Sequence, residues 1–315
     1  MSIHSTRRHL LGAVGAGSLA LTAAACGSSD PFEEGDGSGS GGSDGGGAGG
    51  GTLAIGSQAY YSNEIIAELF AQVLEADGRT VDRQFQIGQR EVYMPELESG
   101  GLDLLPEYLG NLLQHYDSEA ASASPEEISS ALSEALPDGL RVLSFAEASD
   151  QDSYTTTSEF ASTHSLTTIG DLAGVDEDLT IAANSEFEVR PYGPDGAKEI
   201  YGVDVTVVPV EDSGGPLTVQ ALLDGDVQLA DIYTADPTIA ENDLVVLEDP
   251  ESMILPQNVV PVVSERIDEA AASLIDGVIA QLSADDLVEL NRQSVVDQSS
   301  SADIASAWLT EKGLV

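Results

Sequence analysis

Leu53-Ala54-Ile55-Gly56-Ser57-Gln58-Ala59-Tyr60-Tyr61-Ser62-Asn63-Glu64-Ile65-Ile66-Ala67-Glu68-Leu69-Phe70-Ala71-Gln72-Val73-Leu74 opens on a short apolar run closed by a glycine. A run of that length suits a buried strand, whereas Ile65, Ile66, Leu69, Phe70, Val73 and Leu74 recur at the spacing of one helix face. The first unit is therefore a strand feeding a helix. The same alternation continues with a strand over 81–87, a helix over 92–97, a strand over 102–105, and helices over 109–116 and 128–136. After Pro137-Asp138-Gly139 the apolar stretch 142–145 predicts another strand. Further strands are expected at 179–182, 203–210, 227–233, 244–247 and 259–263, and helical periodicity closes the chain over 267–282, 285–291 and 302–309. Repeated strand–helix alternation predicts an α/β fold, a parallel or mixed sheet with helices on both faces.

Charge narrows the function. The 315 residues carry 55 acids against 11 bases, a formal net charge of −44. Nucleic-acid binding needs Lys and Arg to displace phosphate counterions, so such a partner is excluded in practice. Disorder is excluded too, because 42 % of the chain is hydrophobic. Lysine occurs only at Lys198 and Lys312. A carboxylate-rich, lysine-poor surface suits high salt, where screening shortens charge repulsion to roughly 3 Å at 1 M. Residues 52–315 alone carry 50 acids and 9 bases, on a length sufficient for two modest lobes or one large one.

The N-terminus pairs Arg7-Arg8 with an apolar stretch ending in Ala24-Ala25-Cys26, and Cys26 is the only cysteine. This pattern is similar to a twin-arginine export signal ending at a lipoprotein cysteine, so 1–26 reads as an address and Cys26 as the site of lipidation. Residues 27–51 are rich in Gly, Ser and acid with little to bury. As a flexible tether they would span roughly 25–30 Å. The expected location is the extracytoplasmic face of the cell membrane, held by a lipid anchor.

Catalytic signatures are missing. His115 and His164 lie far apart in sequence without zinc-ligand spacing, and neither Gly-x-Ser-x-Gly nor a phosphate-binding Gly-x-x-x-x-Gly-Lys occurs. Asp150-x-Asp152 opens like a calcium loop, but Tyr154 and Thr155 stand at positions that need an oxygen ligand and a glycine. No metal, cofactor or enzymatic step is expected. Tyrosines do stand out: Tyr60, Tyr61, Tyr108, Tyr154 and Tyr233 follow expected strands or loops, where open α/β sheets line their ligand crevice. Gathered rings could box a cation, and packed singly they are core residues.

Several segments carry a resemblance. They are Ile55-Gly56-Ser57-Gln58 to Ile66, Gly88-Gln89-Arg90-Glu91-Val92, and Gly101-Leu102-Asp103-Leu104-Leu105-Pro106-Glu107-Tyr108-Leu109-Gly110. Asn184-Ser185-Glu186-Phe187 to Arg190-Pro191, Ala230-Asp231-Ile232-Tyr233-Thr234-Ala235-Asp236 and Pro256-Gln257-Asn258 to Val263 continue it. Through most of 52–315 the sequence resembles the extracytoplasmic substrate-binding proteins of ABC importers for glycine betaine, carnitine, choline and related quaternary ammonium solutes.

The resemblance implies a two-lobed type II binding-protein fold, with lobe I from 52–151 and 257–315, lobe II from 152–256, and a hinge of two crossovers near Asp152 and Pro256. It implies a tyrosine cage for the ammonium at Tyr108, Tyr154 and Tyr233, with Asp152 beside it and Arg190 meeting a ligand carboxylate. Asn111 matches a position where relatives offer a hydroxyl. Two residues depart from the pattern: Gln58 replaces a lysine of some relatives, and Gln257 replaces an aromatic residue. Tyr60 or Tyr61 either closes the side that Gln257 opens or staples the first helix. The implied ligand is a quaternary ammonium osmolyte, glycine betaine first, with choline, carnitine or proline betaine as alternatives. The implied partners are an ABC permease with a separate ATPase. An amino acid or another polar solute on the same fold is the rival reading.

Overall fold

The computed structural model describes residues 51–120 and 124–315. The Arg7-Arg8 pair, Cys26 and the tether up to residue 50 lie outside them. The described chain builds two five-stranded mixed sheets. The first contains β1 (Leu53–Gly56), β2 (Val81–Gln84), β3 (Leu104–Tyr108), β4 (Leu140–Val142) and a late strand, β10 (Val259–Ser264). The second contains β5 (Thr155–Thr157), β6 (Leu179–Ala183), β7 (Val205–Pro209), β8 (Leu229–Ala230) and β9 (Leu244–Val246). Their orders, β2-β1-β3-β10-β4 and β7-β6-β8-β5-β9, repeat one plan. In each sheet the strand that arrives from the other half, β10 or β5, runs antiparallel to its neighbours. The expected mixed α/β architecture is present, and the plan is that of a type II periplasmic binding protein.

Side-chain alternation explains why both sheet faces are covered. Along β10, Val259 and Val263 join one buried cluster while Val260 and Val262 join another. Helix α1 (Tyr61–Ala76) lays Ile65, Ile66, Leu69, Phe70, Val73 and Leu74 on the first face, together with Ile275 of α7 (Glu269–Ile279), Leu287 of α8 (Ala284–Val295) and Trp308 of α9 (Ser301–Lys312). Helices α2 (Arg90–Ser99), α3 (Leu109–Tyr116) and α4 (Pro125–Ala135) cover the other with Tyr93, Leu97, Leu112 and Ile128. In the second sheet, Leu179, Ile181 and Ala183 face one cluster and Ala182 the other, which includes Val219 and Leu222 of α6 (Pro216–Leu223). Helix α5 (Ser158–His164) follows β5 directly. Among the described residues no helix is long and apolar enough to cross a membrane.

Some element bounds differ from expectation. The strand expected at 142–145 forms earlier, over Leu140–Val142, and the 227–233 strand shrinks to Leu229–Ala230, leaving Asp231 to Tyr233 as a loop. β5 is a strand that periodicity misses. Its three threonines are held instead by pairing with both β8 and β9, and Thr156 Oγ1 donates to Gln228 O at 2.8 Å.

Candidate functional site

The parallel strands β1 and β3 of the first sheet and β6 and β8 of the second all deliver their carboxyl ends to one cavity. Gln58 and Tyr60 follow β1, Tyr108 ends β3, Asn184, Glu186 and Phe187 follow β6, and Asp231 and Tyr233 follow β8. This is where α/β sheets hold ligands, because loops there can converge without breaking the ladders.

The segment Asp103 to Gly110 organises the first wall. Asp103 is buried and accepts from Ala54 N at 2.9 Å, Ser264 Oγ at 2.9 Å and Arg266 Nη1 at 2.7 Å, which ties β1 to β10. Pro106 has no N–H, so the ladder with β1 stops at the Ile55–Leu104 pair, while Asn63 Nδ2 donates to the Pro106 carbonyl at 3.0 Å. The same Asn63 accepts from Gln58 N at 2.9 Å and so shapes the loop that carries Gln58. Glu107 is fully buried and takes both prongs of the Arg90 fork at 2.8 and 2.9 Å, the Tyr93 hydroxyl at 2.6 Å and Tyr108 N at 2.9 Å. A carboxylate with four such donors is satisfied in place of its lost water.

Aromatic rings come from both halves. Tyr60 and Tyr233 stand edge to face with centroids 5.1 Å apart, and Phe187 meets Tyr192 at 5.7 Å. Tyr108 joins them with its hydroxyl buried and unpartnered among the described residues. Gln58 Nε2 is likewise buried without a partner. Buried polar atoms are nearly always bonded, so these two orphans mark where a ligand or water completes the site. Burial pushes the phenols of Tyr60, Tyr108, Tyr192 and Tyr233 well up, so all four stay neutral.

Acidic side chains share the lining with the rings. Asp150, Asp152, Asp231 and Glu186 all line the cavity. Burial raises the Asp150 carboxyl to about 7, against donation from Ala235 N at 3.0 Å and Ser62 Oγ at 3.1 Å. Asp231 is raised well above the usual carboxylate range by burial and then by the charge of Asp152. Burial also raises Glu186. Asp152 accepts from Asn111 Nδ2 at 2.8 Å. Arg190 lines the cavity and reaches Glu91 on α2, with Nη1 to Oε1 at 2.8 Å.

Of the residues expected at the site, Gln58, Tyr60, Tyr108, Asn111, Asp152, Arg190 and Tyr233 line the cavity. Three stand elsewhere. Tyr154 is fully buried in the second half's core, packed on Phe187 at 5.8 Å, and its hydroxyl donates to the Tyr192 carbonyl at 2.9 Å. It supports the wall that Tyr192 forms. Tyr61 turns away at the start of α1 and donates to Asp236 at 2.6 Å. Gln257 lies fully buried behind Asn111, accepting from Asn111 N at 3.0 Å and donating to Asn111 Oδ1 at 2.9 Å. Sequence reasoning missed Tyr192, Arg90, Asp150 and Asp231 as cavity residues. Tyr192 sits two positions after Arg190, which was the only signal for it. Arg90 and Asp231 lie inside motif segments that carried no assigned role, and Asp150 read only as part of a failed calcium loop.

Comparison with known proteins agrees with this geometry. The family model OpuAC, described as the substrate binding domain of ABC-type glycine betaine transport system, matches residues 51–311. The chain belongs to this family. Within it, the chain is 25 % identical over 276 residues to the glycine betaine-binding protein YehZ of Escherichia coli K12, covering 82 % of this chain and 90 % of that one. A crystal structure described as a glycine betaine/carnitine/choline ABC transporter superposes with a TM-score of 0.67 at 22 % identity, covering 83 % of this chain and 99 % of that chain. Lactococcal OpuAC in its closed form with glycine betaine superposes at 0.58 with 13 % identity, covering 83 % and 96 %. These structural likenesses carry the OpuAC fold.

Proposed function

We propose that this chain is an extracytoplasmic receptor that captures a quaternary ammonium solute between two lobes and delivers it to an ABC permease powered by a separate ATPase. The carrying observation is the convergence of Tyr60, Tyr108, Tyr192 and Tyr233 with four carboxylates on one cavity. A trimethylammonium group has no N–H to donate, so ring faces and nearby negative charge are its natural environment, at roughly 0.5–2 kcal/mol per ring. Lobe I would comprise 52–151 and 257–315 and lobe II 152–256, closing about crossovers near Asp152 and Pro256. Closure would shift with ligand because only the closed form brings both sets of rings onto it. No bond is made or broken in this function. The acidic surface and the export signal with its lipidated Cys26 agree with a tethered receptor working in brine, where compatible solutes protect the cell.

Calorimetry with glycine betaine, choline, carnitine and proline betaine in high salt tests the reading. At least one should bind in the micromolar range or tighter, and Tyr108→Ala should weaken it at least tenfold, about 1.4 kcal/mol. Failure of all four, with binding of an amino acid through Gln58 Nε2, would assign the cavity to a polar solute instead.

A further inference from the structure

The charges around the cavity are unevenly matched. Arg90 is neutralised inside the fold by the bidentate Glu107 pair. Arg190 is neutralised by Glu91, whose side chain is 54 % exposed, while that of Arg190 is only 16 % exposed. The remaining charged groups of the lining, Asp150, Asp152, Asp231 and Glu186, form no ion pair among the described residues. The cavity thus presents four carboxyl groups without a cationic partner and no unmatched cation. A trimethylammonium head offers the same methyl surface to the rings whether or not its molecule also carries a carboxylate, so the rings do not discriminate. Net charge does.

We infer that Glu91 is a specificity-determining residue, which holds the Arg190 guanidinium in an ion pair so that the cavity prefers a quaternary ammonium alcohol, a plain cation, over a zwitterion with the same head. The inference rests on the quaternary ammonium reading above and reverses the preference that Arg190 alone implies. A zwitterion's carboxylate must lie against the acidic lining or displace Glu91 from Arg190. Each alternative costs free energy that a cation avoids. Glu91 and Arg190 also join α2 of the first sheet to the loop after β6 of the second, so losing Glu91 loosens closure for every ligand. The ratio of two affinities cancels that shared effect.

Calorimetry with choline and glycine betaine on the full mature chain decides it. The wild type should bind choline at least tenfold tighter than glycine betaine. Glu91→Ala should lower that ratio by roughly threefold or more, the scale of a partly exposed ion pair. In an Arg190→Ala background, Glu91→Ala should leave the ratio unchanged, since the guanidinium it releases is gone. A wild type that prefers glycine betaine, or a ratio unmoved by Glu91→Ala in the presence of Arg190, overturns the assignment while the quaternary ammonium reading stands. Binding of neither ligand overturns the assignment, and the quaternary ammonium reading falls with it only when carnitine and proline betaine fail as well.

Discussion

Asp150 links the cavity to pH. It is buried in the cavity lining, and its carboxyl is raised from an ordinary 3.8 to about 7, chiefly by burial. The folded chain therefore holds this proton more tightly than the unfolded chain, so the group withdraws stability progressively as pH climbs from about 4 to about 7. A bound cation favours the ionised form and so opposes the trend. The ligand-free midpoint should fall across that window, while the thermal shift given by a saturating cationic ligand should be larger at pH 8 than at pH 5. Asp150→Asn should leave a shallower slope, because Asp231, raised by burial and by Asp152, contributes in the same direction. Equal ligand-induced shifts at both pH values in the wild type would contradict this account of the site's electrostatics.

At the scale of elements, the start of α3 shows why the site tolerates so little change. Gly110 N donates to the Pro256 carbonyl at 2.9 Å, and a Cβ placed on Gly110 would stand 2.5 Å from Leu255 Cβ and 2.7 Å from Gln257 Nε2. Only glycine lets α3 approach the segment that crosses between sheets. That approach places Asn111 against Gln257 on one side and Asp152 on the other. Gly110→Ala should destabilise the protein by roughly 1–3 kcal/mol, the usual penalty of overpacking. Because α3 also orients Asn111, ligand affinity should fall in the same variant. Chemical denaturation paired with calorimetry checks both, and an unchanged denaturation midpoint would show that the crossing segment yields.

For the whole molecule the governing term is self-repulsion. Residues 52–315 hold 50 acids against 9 bases, so most carboxylates face solvent or each other without a cation. The Debye length shrinks from roughly 10 Å at 0.1 M salt to roughly 3 Å at 1 M, which removes all but the nearest repulsions. Thermal unfolding should therefore shift upward by several degrees between 0.1 M and 2 M NaCl. Buried pairs such as Arg90–Glu107 are screened little, so the gain belongs to the surface. A midpoint indifferent to salt would argue against adaptation to brine.

Much of this architecture is legible in one dimension. Leu53–Gly56 followed by α1, and the short continuous apolar run from Val259 to Val263, declare strand and helix because run length and the helical period of about three and a half are properties of the chain itself. Seven of the ten residues expected at the cavity line it, since a motif residue at a strand's carboxyl end has few places to point. Tyr154 and Tyr192 mark the limit. Both are tyrosines near motif residues, yet Tyr154 enters the core and Tyr192 faces the cavity, and only packing around Phe187 separates them. The charge balance of the site is decided the same way. The sequence by itself determined two α/β halves, an acidic surface and tyrosines near strand ends. Tertiary structure alone decided which carboxylate neutralises which guanidinium, because Glu91 and Arg190 lie 99 positions apart and meet only when the two sheets face each other.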